Sequence, residues 1–559
     1  MIVFQAETLD RWFSLLRSTY QENLDRLNEL DAVTGDGDHG YTMLRAFRAA
    51  EEALSDGLTD LGAGFEAAST ALAEHAGGAI GPILAALFGE GRRHFAGQTS
   101  ANLQETGAFF QSGLAAVQEI GGAQPGEKTL VDALIPAVEA LQSTAEEEPA
   151  AAIQTAAAAA RKGAEATAYM AAGKGRSRFS ADRSRGQPDP GAVSLVLLFE
   201  ALDDYLAGKV AQSVESVQQK FEPPPGKLIN QPDSIVAQDN QGLALAYPEL
   251  VQLTDERILL RSTPKDCGKT ALVIGHGGGH TPSMGGFVGP GLLDGDVYGP
   301  IFTCASGLRI ARTIELADRG AGVVLLVSNH SGDVLNSRLA VRTARQSGFN
   351  VQPVLLGDDI ATAPRERLED RRGLGGLLFA LKTGGAAAEL GQDLAEVVKV
   401  MEKTNQRTAS LAVAVRPPTH PATGEPLFEL PRGEIEIGTG VHGEVGVYRG
   451  EHLPADEITA LLLDRLLEDL AGFEEYQPLV FVNGSGGTSL TELHIVYRSV
   501  HLQLQERGIT PAAAVVDSLF TTQEMGGFTL SLCAADQQLL ELWEEPAAGP
   551  SFHWPRDRT

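Results

Sequence analysis

Three consecutive prolines, Pro223 to Pro225, divide this chain into two stretches with different residue patterns. Proline lacks a backbone N–H and fixes φ, so a run of three cannot continue a helix and favours an extended, semi-rigid spacer. The chain has 559 residues, and a single hydrophobic core stops growing at about 250–300 residues. We therefore expect several domains, with residues 213–226 as a proline-rich linker between the two halves.

The residues before this linker, 1–212, are predicted to be all-α. Alanine-rich windows such as 63–76 and 148–172 contain strong helix formers, and β-branched runs are nearly absent. Glycine-bearing loops interrupt the helical stretches. Such loops can converge on one end of a helical barrel or bundle as a single ligand mouth, or they can be ordinary helix connections.

The residues after the linker alternate short buried-strand runs with helical stretches. Apolar runs at 270–274, 322–327 and 351–356 precede or follow helical stretches at 308–319 and 336–347. This alternation is typical of a parallel α/β sheet with right-handed crossovers, in which ligands bind beyond the carboxyl ends of the strands.

A second strand-rich region begins near Leu411 and ends near Cys533. We therefore expect a two-part α/β domain over residues 227–546, subdivided near residue 410. The last residues, 547–559, show no periodicity and are predicted to be a loosely attached tail.

Charge and cysteine content exclude several classes of protein. The formal net charge of −29 argues against binding to nucleic acid or to an anionic membrane. The three cysteines are too few for a disulfide framework or a zinc cluster, which favours a reducing cytoplasm. The sequence also contains neither a signal-peptide pattern nor an apolar run of about 18 residues, so we expect no membrane segment.

Residues 31–40, DAVTGDGDHG, place the carboxylates of Asp31, Asp36 and Asp38 close together among glycines. Negative charges this close repel one another, and a divalent cation with oxygen ligands removes that repulsion. Mg²⁺ usually binds few carboxylates and completes its shell with substrate phosphates. A solvated Asp/Gly turn remains the alternative, whereas a Ca²⁺ loop would need spaced ligands and a closing glutamate that this segment lacks.

Two turns in the second half offer acid–base groups. The segment GHGGGHTP at 275–282 follows a predicted strand, so a ligand can reach main-chain N–H groups and His280 can act as a general base. In SNHSGD at 328–333, Asp333 either orients a substrate hydroxyl or caps the next helix. In isolation, a histidine like His280 is more often a surface or capping residue than a catalytic one.

The segment GTGVHGE at 438–444 exposes His442 between glycines. A neutral imidazole with small neighbours is a competent nucleophile toward a carbonyl carbon. The chain contains neither the GxGxxG fingerprint of a dinucleotide fold after a strand nor the lysine of a P-loop.

Taken in order, these motifs closely resemble those of the dihydroxyacetone kinase family. Over residues 275–528, GGGH-x-P, FVGPGLL, N-x-SGD, GDD, GTGVHGE, NG-x-GGT and QEMGGF are similar to the substrate-binding K-type half. Before the linker, DAVTGDGDHG, GG-x-x-GP, PGEKTLVDALIPA, GKGR and DPGAVS resemble the nucleotide-binding L-type half. The two halves stand in the reverse of the order expected for single-chain, ATP-using members. The resemblance implies an ATP- and Mg²⁺-dependent kinase of dihydroxyacetone or a close ketose such as erythrulose.

The resemblance also implies roles for individual residues. Asp31, Asp36 and Asp38 match the Mg²⁺ ligands. His442 matches the histidine that forms a hemiaminal with the substrate ketone, and His280 and Asp333 match the acid–base pair. The residues that match the substrate site are Gly277, Gly278, Gly279, His280, Ser328, Asp333 and His442. Those that match the nucleotide site are His39, Gly40, Tyr41, Thr42, Ala79, Ile80, Gly121, Leu130, Arg176, Asp189, Pro190 and Gly191.

The chain departs from the family pattern at three places. Ala79 and Ile80 occupy the GG-x-x-G loop, where a Ser or Thr is usual, so a hydroxyl near the phosphates is lost. Ser328 stands where a lysine commonly touches substrate, and Thr281 stands where a glutamate is usual. The last two changes favour a ketose that is larger than dihydroxyacetone or differently decorated.

The sequence is also compatible with other functions. A non-catalytic protein that senses a ketone is one alternative, and the residues at Ala79 and Ile80 motivate it. A phosphocarrier-dependent kinase is another, although fusion of both halves in one chain favours free ATP. The resemblance further implies a homodimer and leaves room for a nucleotide cyclase side reaction.

Overall fold

The computed structural model describes residues 2–33, 35, 37–54, 58, 60–175, 178, 184–211, 221–265 and 268–555. They form two compact units. The first unit comprises Met1–Gln219, and the second contains almost all residues from Lys220 onward. The predicted site residues Asp36 and Arg176 and the linker residues 213–220 lie outside the described residues. Within the described part of the chain, every helix is too short or too polar to cross a bilayer.

The first unit is mainly helical, as its alanine-rich sequence predicts. Side chains cap several helices at the N-terminus, among them Asn102, which forms a reciprocal capping box with Glu105. A short antiparallel pair, β1 (Ile2–Gln5) and β2 (Ser100–Asn102), accompanies the helices. The helices are α1 (Leu9–Glu22), α2 (Leu24–Ala32), α3 (His39–Ala53), α4 (Leu61–His75), α5 (Ile80–His94), α6 (Leu103–Gly121), α7 (Val131–Ser143), α8 (Pro149–Ala166) and α9 (Pro190–Leu206).

Aromatic side chains fill the centre of the first unit. Phe65 lies at the middle of this cluster, with ring centroids 5.0 Å from Phe109 and 5.2 Å from Phe95. Gly91 on α5 is necessary for this packing, because a Cβ there would clash with the Phe65 ring. The cluster therefore fixes how α4, α5 and α6 pack against one another.

The first sheet of the second unit has the strand order β3-β4-β6-β5-β7-β8. Its neighbours β6, β5, β7 and β8 pair in parallel, and β3 and β4 extend it antiparallel. The strands are β3 (Val251–Asp255), β4 (Ile258–Arg261), β5 (Ala271–Gly278), β6 (Gly295–Ile301), β7 (Val323–Ser328) and β8 (Val351–Leu356). Helices α10 (Ile235–Ala246), α11 (Gly307–Ala317), α12 (Ser331–Gln346), α13 (Leu377–Glu389) and α14 (Leu394–Gln406) belong to this part of the chain.

The second sheet has the order β11-β10-β9-β14-β12-β13, with β12 and β13 in parallel and the other neighbours antiparallel. Its strands are β9 (Thr408–Arg416), β10 (Glu434–Ile437), β11 (Tyr448–Glu451), β12 (Gln477–Gly484), β13 (Ala513–Asp517) and β14 (Gly526–Ala535). Helices α15 (Ala455–Leu470), α16 (Leu490–Glu506) and α17 (Gln537–Glu544) accompany it.

Helix α13 contributes to one core shared by both sheets. Its residues from Leu377 to Ala388 are all buried, as expected for a helix that is mostly apolar. The core around it contains Leu272 from the first sheet and Leu479 from the second. Helices α11 and α12 cover the other face of the first sheet, and α15 and α16 cover the other face of the second.

The described part of the segment after α17 packs against the protein, which corrects the expectation of a loosely attached tail for residues 547–555; residues 556–559 lie outside the described residues. Ala547–Gly549 (β15) pairs antiparallel with Phe552–Trp554 (β16), and Phe552 is buried. The ring of Trp554 lies 5.1 Å from that of Trp543. Burial of these aromatic side chains holds the segment in place, although its sequence shows no helical or strand period.

Candidate active site

Three loops of the second unit bring His280, His330 and His442 together. His280 follows β5 and His330 follows β7, and these strands are parallel neighbours whose carboxyl ends lie at one edge of the first sheet. His442 follows β10 of the second sheet. Its ring centroid lies 5.1 Å from that of His280 and 5.5 Å from that of His330.

His280 is held by the loop after β13. Its Nδ1 donates to the carbonyl oxygen of Thr521 at 2.7 Å, and the backbone N–H of Gln523 donates to the oxygen of Gly279 at 3.1 Å. Nε2 of His280 lies 3.2 Å from Nε2 of His442. Burial, followed by the nearby His442, holds the pKa of His280 well below its usual range. His280 is therefore neutral near pH 7, with the Nε2 lone pair directed toward His442.

Glu444 orients His442 from two residues further along the same turn. The backbone N–H of His442 donates to Oε2 of Glu444 at 2.9 Å, and Nδ1 of His442 lies 3.4 Å from Oε1. Burial alone would raise the pKa of Glu444. The hydrogen bond from His442 and the charges of His442 and Arg372 outweigh burial and hold that pKa well below its usual range. Gly440 leaves room for the carboxylate, since a Cβ there would clash with Oε2.

His330 is a third histidine of this site, to which the sequence analysis assigned no role. Its Nε2 donates to the carbonyl oxygen of Gly373 at 3.1 Å, and its Nδ1 faces Oε1 of Glu444 at 4.0 Å. Burial, followed by the nearby His442, lowers the pKa of His330 to about 4. His330 is thus a neutral ring with its Nδ1 lone pair directed at a carboxylate.

The other predicted substrate residues lie on the same loops. Asp333 is a buried residue in the first turn of α12, and because His330 is the N-cap, Asp333 does not cap this helix. The charge of Asp333 contributes to a raised pKa of His276. Ser328 is the last residue of β7 and packs against Gly373, where a Cβ would clash with its Oγ.

The glycines before His280 lie where the backbone makes close contacts. A Cβ on Gly277 would lie 2.9 Å from the backbone nitrogen of Thr303, and Gly279 has φ of +94°. Gly278 ends β5, where a Cβ would lie 2.5 Å from Val236. Larger side chains are therefore excluded at these three glycine positions. Contact of the glycines with substrate stays a prediction.

The aspartates of the first unit lie at the ends of two consecutive helices. Asp31 is in the last turn of α2, and its Oδ2 accepts from the backbone N–H of Gly37 at 2.8 Å. A Cβ on Gly35 would clash with Oδ1 of Asp31, so glycine is needed beside this carboxylate. Asp38 is the N-cap of α3. This cradle and its carboxylate oxygens fit Mg²⁺, which prefers oxygen ligands.

Several predicted nucleotide residues lie at helix N-termini near these aspartates. Nε2 of His39 lies 2.8 Å from Oγ of Ser194 on α9, and the N–H of Gly40 donates to Oδ1 of Asn28 at 2.8 Å. Helix N-termini attract phosphate, because free N–H groups and the helix dipole are directed at the anion. A pocket among these helices is lined by Tyr20, Met43, Ile80, Ile83, Leu84, Leu87, Leu130, Gly191, Ser194, Leu195 and Leu198.

The remaining nucleotide candidates have varied surroundings. Thr42 is buried, whereas Tyr41 is exposed. Ala79 is the N-cap of α5 and forms no side-chain capping bond. Gly121 ends α6, where a Cβ would lie 3.1 Å from Ile83.

Asp189 is the N-cap of α9, which places Pro190 and Gly191 in the first turn of that helix. Its carboxylate accepts from the N–H of Ala192 at 2.7 Å, and burial raises its pKa to about 6. Lys128, to which the sequence analysis gave no role, donates from Nζ to the carbonyl oxygens of Thr167 and Gln187 at 2.7 and 2.6 Å. Lys128 therefore ties the loop before α7 to the loop before α9.

The described residues thus form a helical unit with an aspartate cradle and an α/β unit with paired histidines, the two-part architecture of a multidomain protein. Comparison with known proteins gives its family. The Dak1 domain model matches residues 241–551, and the DAK2 domain model matches residues 33–204. The chain therefore belongs to the dihydroxyacetone kinase family, with the DAK2 domain before the Dak1 domain.

Curated relatives include kinases of short ketoses. The chain is 36% identical over 329 residues to L-erythrulose kinase of Pectobacterium atrosepticum, covering 58% of this chain and 56% of the relative. It is 40% identical over 285 residues to D-erythrulose kinase of Mycolicibacterium smegmatis, covering 51% of this chain and 49% of the relative. The chain thus spans about half the length of these relatives. It also matches 95% of a dihydroxyacetone-binding subunit DhaK of Listeria innocua at 34% identity, over 56% of this chain.

The structure has the predicted fold class, a helical region followed by a two-part α/β region, and solved structures match more than half of the chain. The dihydroxyacetone kinase from C. freundii in complex with AMP-PNP and Mg²⁺ matches with a TM-score of 0.54 and 28% identity. That match covers 59% of this chain and 62% of the other. The operon co-activator DhaQ matches with a TM-score of 0.54 and 27% identity, over 57% of this chain and 98% of the co-activator.

Proposed function

We propose that this chain is an ATP- and Mg²⁺-dependent kinase of a short-chain hydroxyketone, dihydroxyacetone or a close ketose such as erythrulose. The observation that carries the proposal is the pairing of two histidines, with Nε2 of His280 3.2 Å from Nε2 of His442 and Glu444 beside the second ring. The ketose substrate would bind here. The erythrulose and dihydroxyacetone kinases among the relatives support this reaction class.

His442 would capture the ketone as a hemiaminal. With the Nδ1 proton directed at Glu444, the Nε2 lone pair attacks the carbonyl carbon, and the C=O electron pair moves to oxygen, which takes up a proton. The Glu444 carboxylate stabilises the positive ring formed on attack. Loss of the Nδ1 proton to water, while the former carbonyl oxygen takes up a proton from water, leaves a neutral N-substituted imidazole and a hydroxyl group. A ketone is required for this bond, so the site would reject polyols such as glycerol.

His280 would then accept the proton of the terminal hydroxyl that attacks the γ-phosphate. Its Nδ1 proton is bound to the carbonyl oxygen of Thr521, so Nε2 is the acceptor. Asp333 would assist His280, as the family resemblance implies. Phosphoryl transfer depends mainly on positioning and charge stabilisation, and a covalently held ketose is well positioned.

Asp31 and Asp38, together with Asp36, would hold Mg²⁺ beside the nucleotide in the first unit. When bound, the ion neutralises phosphate charge. The glycine-lined cradle around Asp31 and the helix N-termini that follow support this assignment. The nucleotide would contact the first turns of α3, α5, α7 and α9.

The test is ADP release with a panel of three- to five-carbon ketoses, measured for the wild type and for His442→Ala. His452→Ala is the matched control, because His452 is an exposed histidine on the neighbouring strand segment. We expect turnover of at least one ketose and a loss of at least about 10²-fold in His442→Ala, with His452→Ala unchanged. Full activity of His442→Ala would contradict the hemiaminal.

A ketone-sensing regulator is the second candidate. Two observations favour it: the match over nearly the whole of a co-activator, and the N-cap of α5 at Ala79, which lacks a capping side chain. Calorimetry with the same ketoses separates the two functions. Ketose binding without ADP release would support the regulator and contradict the kinase.

We also propose a homodimer in a reducing cytoplasm. Cys304 and Cys533 are buried and form no disulfide, which agrees with a reducing compartment. Sedimentation equilibrium should give twice the mass of one chain.

A further inference from the structure

His330, His442 and Glu444 form a cluster of metal-ligating groups, one atom of each lying within 4.8 Å of the others. Oε1 of Glu444 lies 3.4 Å from Nδ1 of His442 and 4.0 Å from Nδ1 of His330. Each side chain keeps a small exposed fraction, 13% for either histidine and 7% for Glu444, so an ion can reach them from solvent. The mechanism above uses His442 and Glu444 and gives His330 no role.

Hydrogen-bond directions show that lone pairs converge on this point. The carbonyl oxygen of Gly373 can only accept, so Nε2 of His330 carries the proton and Nδ1 presents a lone pair to Glu444. At 4.0 Å, two acceptors face each other, Nδ1 of His330 and Oε1 of Glu444. Such an arrangement is stabilised by a cation between them.

His280 influences which ring nitrogen of His442 carries the proton. The carbonyl oxygen of Thr521 takes the Nδ1 proton of His280, so Nε2 of neutral His280 is an acceptor facing Nε2 of His442 at 3.2 Å. A proton on Nε2 of His442 satisfies this contact. In that tautomer, which exchanges with the Nδ1-protonated form used for ketone capture, the Nδ1 lone pair of His442 is directed at Glu444 and can bind a metal ion.

We propose that the His330–His442–Glu444 cluster binds a divalent transition-metal ion such as Zn²⁺, through Nδ1 of each histidine and a carboxylate oxygen. Zn²⁺ sites with two histidines, one glutamate and an open fourth position are a known type, with bonds of about 2.0–2.1 Å. Tetrahedral bonds of that length place the ligand atoms about 3.3 Å apart. The His442–Glu444 separation of 3.4 Å matches this value, and the His330–Glu444 separation of 4.0 Å requires a shift of well under 1 Å.

The surroundings suit such an ion. Metal-ligating histidines usually donate their second ring N–H to a backbone carbonyl or another acceptor, and both rings have this partner, the Gly373 oxygen and Nε2 of His280. Arg372, whose charge acts on Glu444, is itself paired with Asp359 at 2.7 Å. Arg372, Asp359 and Glu444 together carry a net charge of −1. Imidazole ligands favour Zn²⁺, Cu²⁺ or Ni²⁺ over Mg²⁺, so the ion of the nucleotide site would not compete.

A metal ion bound by His330, His442 and Glu444 would block ketone capture by His442. This consequence rests on the proposed function. A metal on Nδ1 fixes the proton of His442 on Nε2, where it is donated to His280. Nε2 then has no lone pair for the carbonyl carbon. The metal and the ketose would exclude each other at one imidazole.

The site is tested by titrating the full chain with Co²⁺, with excess Mg²⁺ present to occupy carboxylate-only sites. We expect one Co²⁺ per chain, with the visible absorption of a four- or five-coordinate nitrogen-ligated ion. His330→Gln and His330→Phe should each weaken binding by at least about tenfold. His452→Gln, at an exposed histidine, should leave binding unchanged.

Absence of the visible bands, or equal affinity in the His330 variants and the wild type, would overturn the proposed site. This readout does not require turnover, so it decides the site even if no ketose is phosphorylated. In the kinase assay, buffered Zn²⁺ at ten times its Kd should raise the apparent KM for ketose about tenfold, reversed by a chelator that prefers Zn²⁺ to Mg²⁺. Co²⁺ binding with an unchanged KM would overturn the competition and leave the proposed site intact.

Discussion

At the scale of single residues, backbone carbonyls decide the chemistry of the histidines. Thr521 and Gly373 each accept a ring N–H, which fixes the proton of His280 on Nδ1 and that of His330 on Nε2. His442 has no such carbonyl contact described, and its ring lies between Glu444 and His280. Its tautomer therefore depends on whether the ring proton is donated to Glu444 or to His280. Glu444 acts on the reaction through His442, and is in this sense a positioning residue.

Glu444→Gln should separate positioning from binding of nucleotide. The amide keeps the shape of the side chain but loses the charge that holds the Nδ1 proton of His442. We expect kcat/KM for ketose to fall by on the order of 10²-fold, with the KM for ATP unchanged and partial recovery in Glu444→Asp. Steady-state kinetics with each substrate varied in turn would measure this.

Glu434→Gln is the control, because Glu434 lies on β10 of the same segment. A parallel loss in both variants, or an equal rise in both KM values for Glu444→Gln, would show that Glu444 has a structural role only.

Sequence alone identified His280 and His442 because each stands in a glycine-rich turn after a strand. It did not assign His330 or Glu444, although both lie in the quoted motifs. Their significance depends on distances between separate loops, which no local spacing encodes. Glu444 offered one signal, a carboxylate two residues after a predicted nucleophile.

At the scale of elements, helix α13 contains a lysine among mostly apolar residues. Lys382 is fully buried, and its Nζ donates to the carbonyl oxygen of Leu542 at 3.0 Å. Burial, only partly offset by Glu545 and Glu544, lowers the pKa of Lys382 to about 8. The protonated amine is thus disfavoured in the folded protein relative to the unfolded chain.

This lysine gives a pH-dependent prediction. In the unfolded chain the amine titrates near its ordinary pKa of about 10.4. Below about pH 8 the folded state must charge a buried amine, so the contribution of Lys382 to stability rises as pH increases from about 8 toward 10.4. Between pH 7.5 and 9.5, the unfolding free energy of the wild type relative to Lys382→Met should rise by on the order of 1–2 kcal/mol.

Urea unfolding followed by tryptophan fluorescence would measure the difference, since Trp543 lies next to Lys382. Lys399→Met, at an exposed lysine on α14, should show no such trend. A pH-independent difference for Lys382→Met would contradict the lowered pKa.

Sequence patterns predicted part of the second unit, such as β5, β7, β8, α11 and α12, but not the pair formed by β15 and β16. Helix periodicity and apolar runs are local signals, so stretches such as 322–327 are readable without the fold. The burial of Phe552 and Trp554 depends on Trp543 and on a loop of the first sheet, and a sequence lacking a period gives no indication of those contacts.

At the scale of the whole second unit, buried ion pairs connect the layers of the two sheets. Asp469, near the end of α15, pairs with Arg365 and with Arg371, whose side chain is fully buried. Both arginines lie in the segment between β8 and α13. The carboxylate therefore joins the helices of the second sheet to the strands of the first.

Asp469→Ala should destabilise the second unit strongly. Removing one partner leaves a buried guanidinium without its counterion, which typically costs about 3–5 kcal/mol. Asp464 lies on the same helix as Asp469. Asp464→Ala removes its exposed ion pair with Arg507 and should cost less than about 1 kcal/mol. Unfolding in urea would compare the two, and similar losses would contradict the importance of burial.

The position of β14 in the second sheet has a consequence for how the protein is made. β14 lies between β9 and β12, yet it is the last of the six strands to leave the ribosome. Until residues 526–535 emerge, the nascent chain holds β9 and β12 with unpaired edges and exposed apolar faces. Such intermediates are prone to aggregate. During synthesis, the nascent second sheet therefore needs protection by chaperones until β14, its last strand, has emerged and paired.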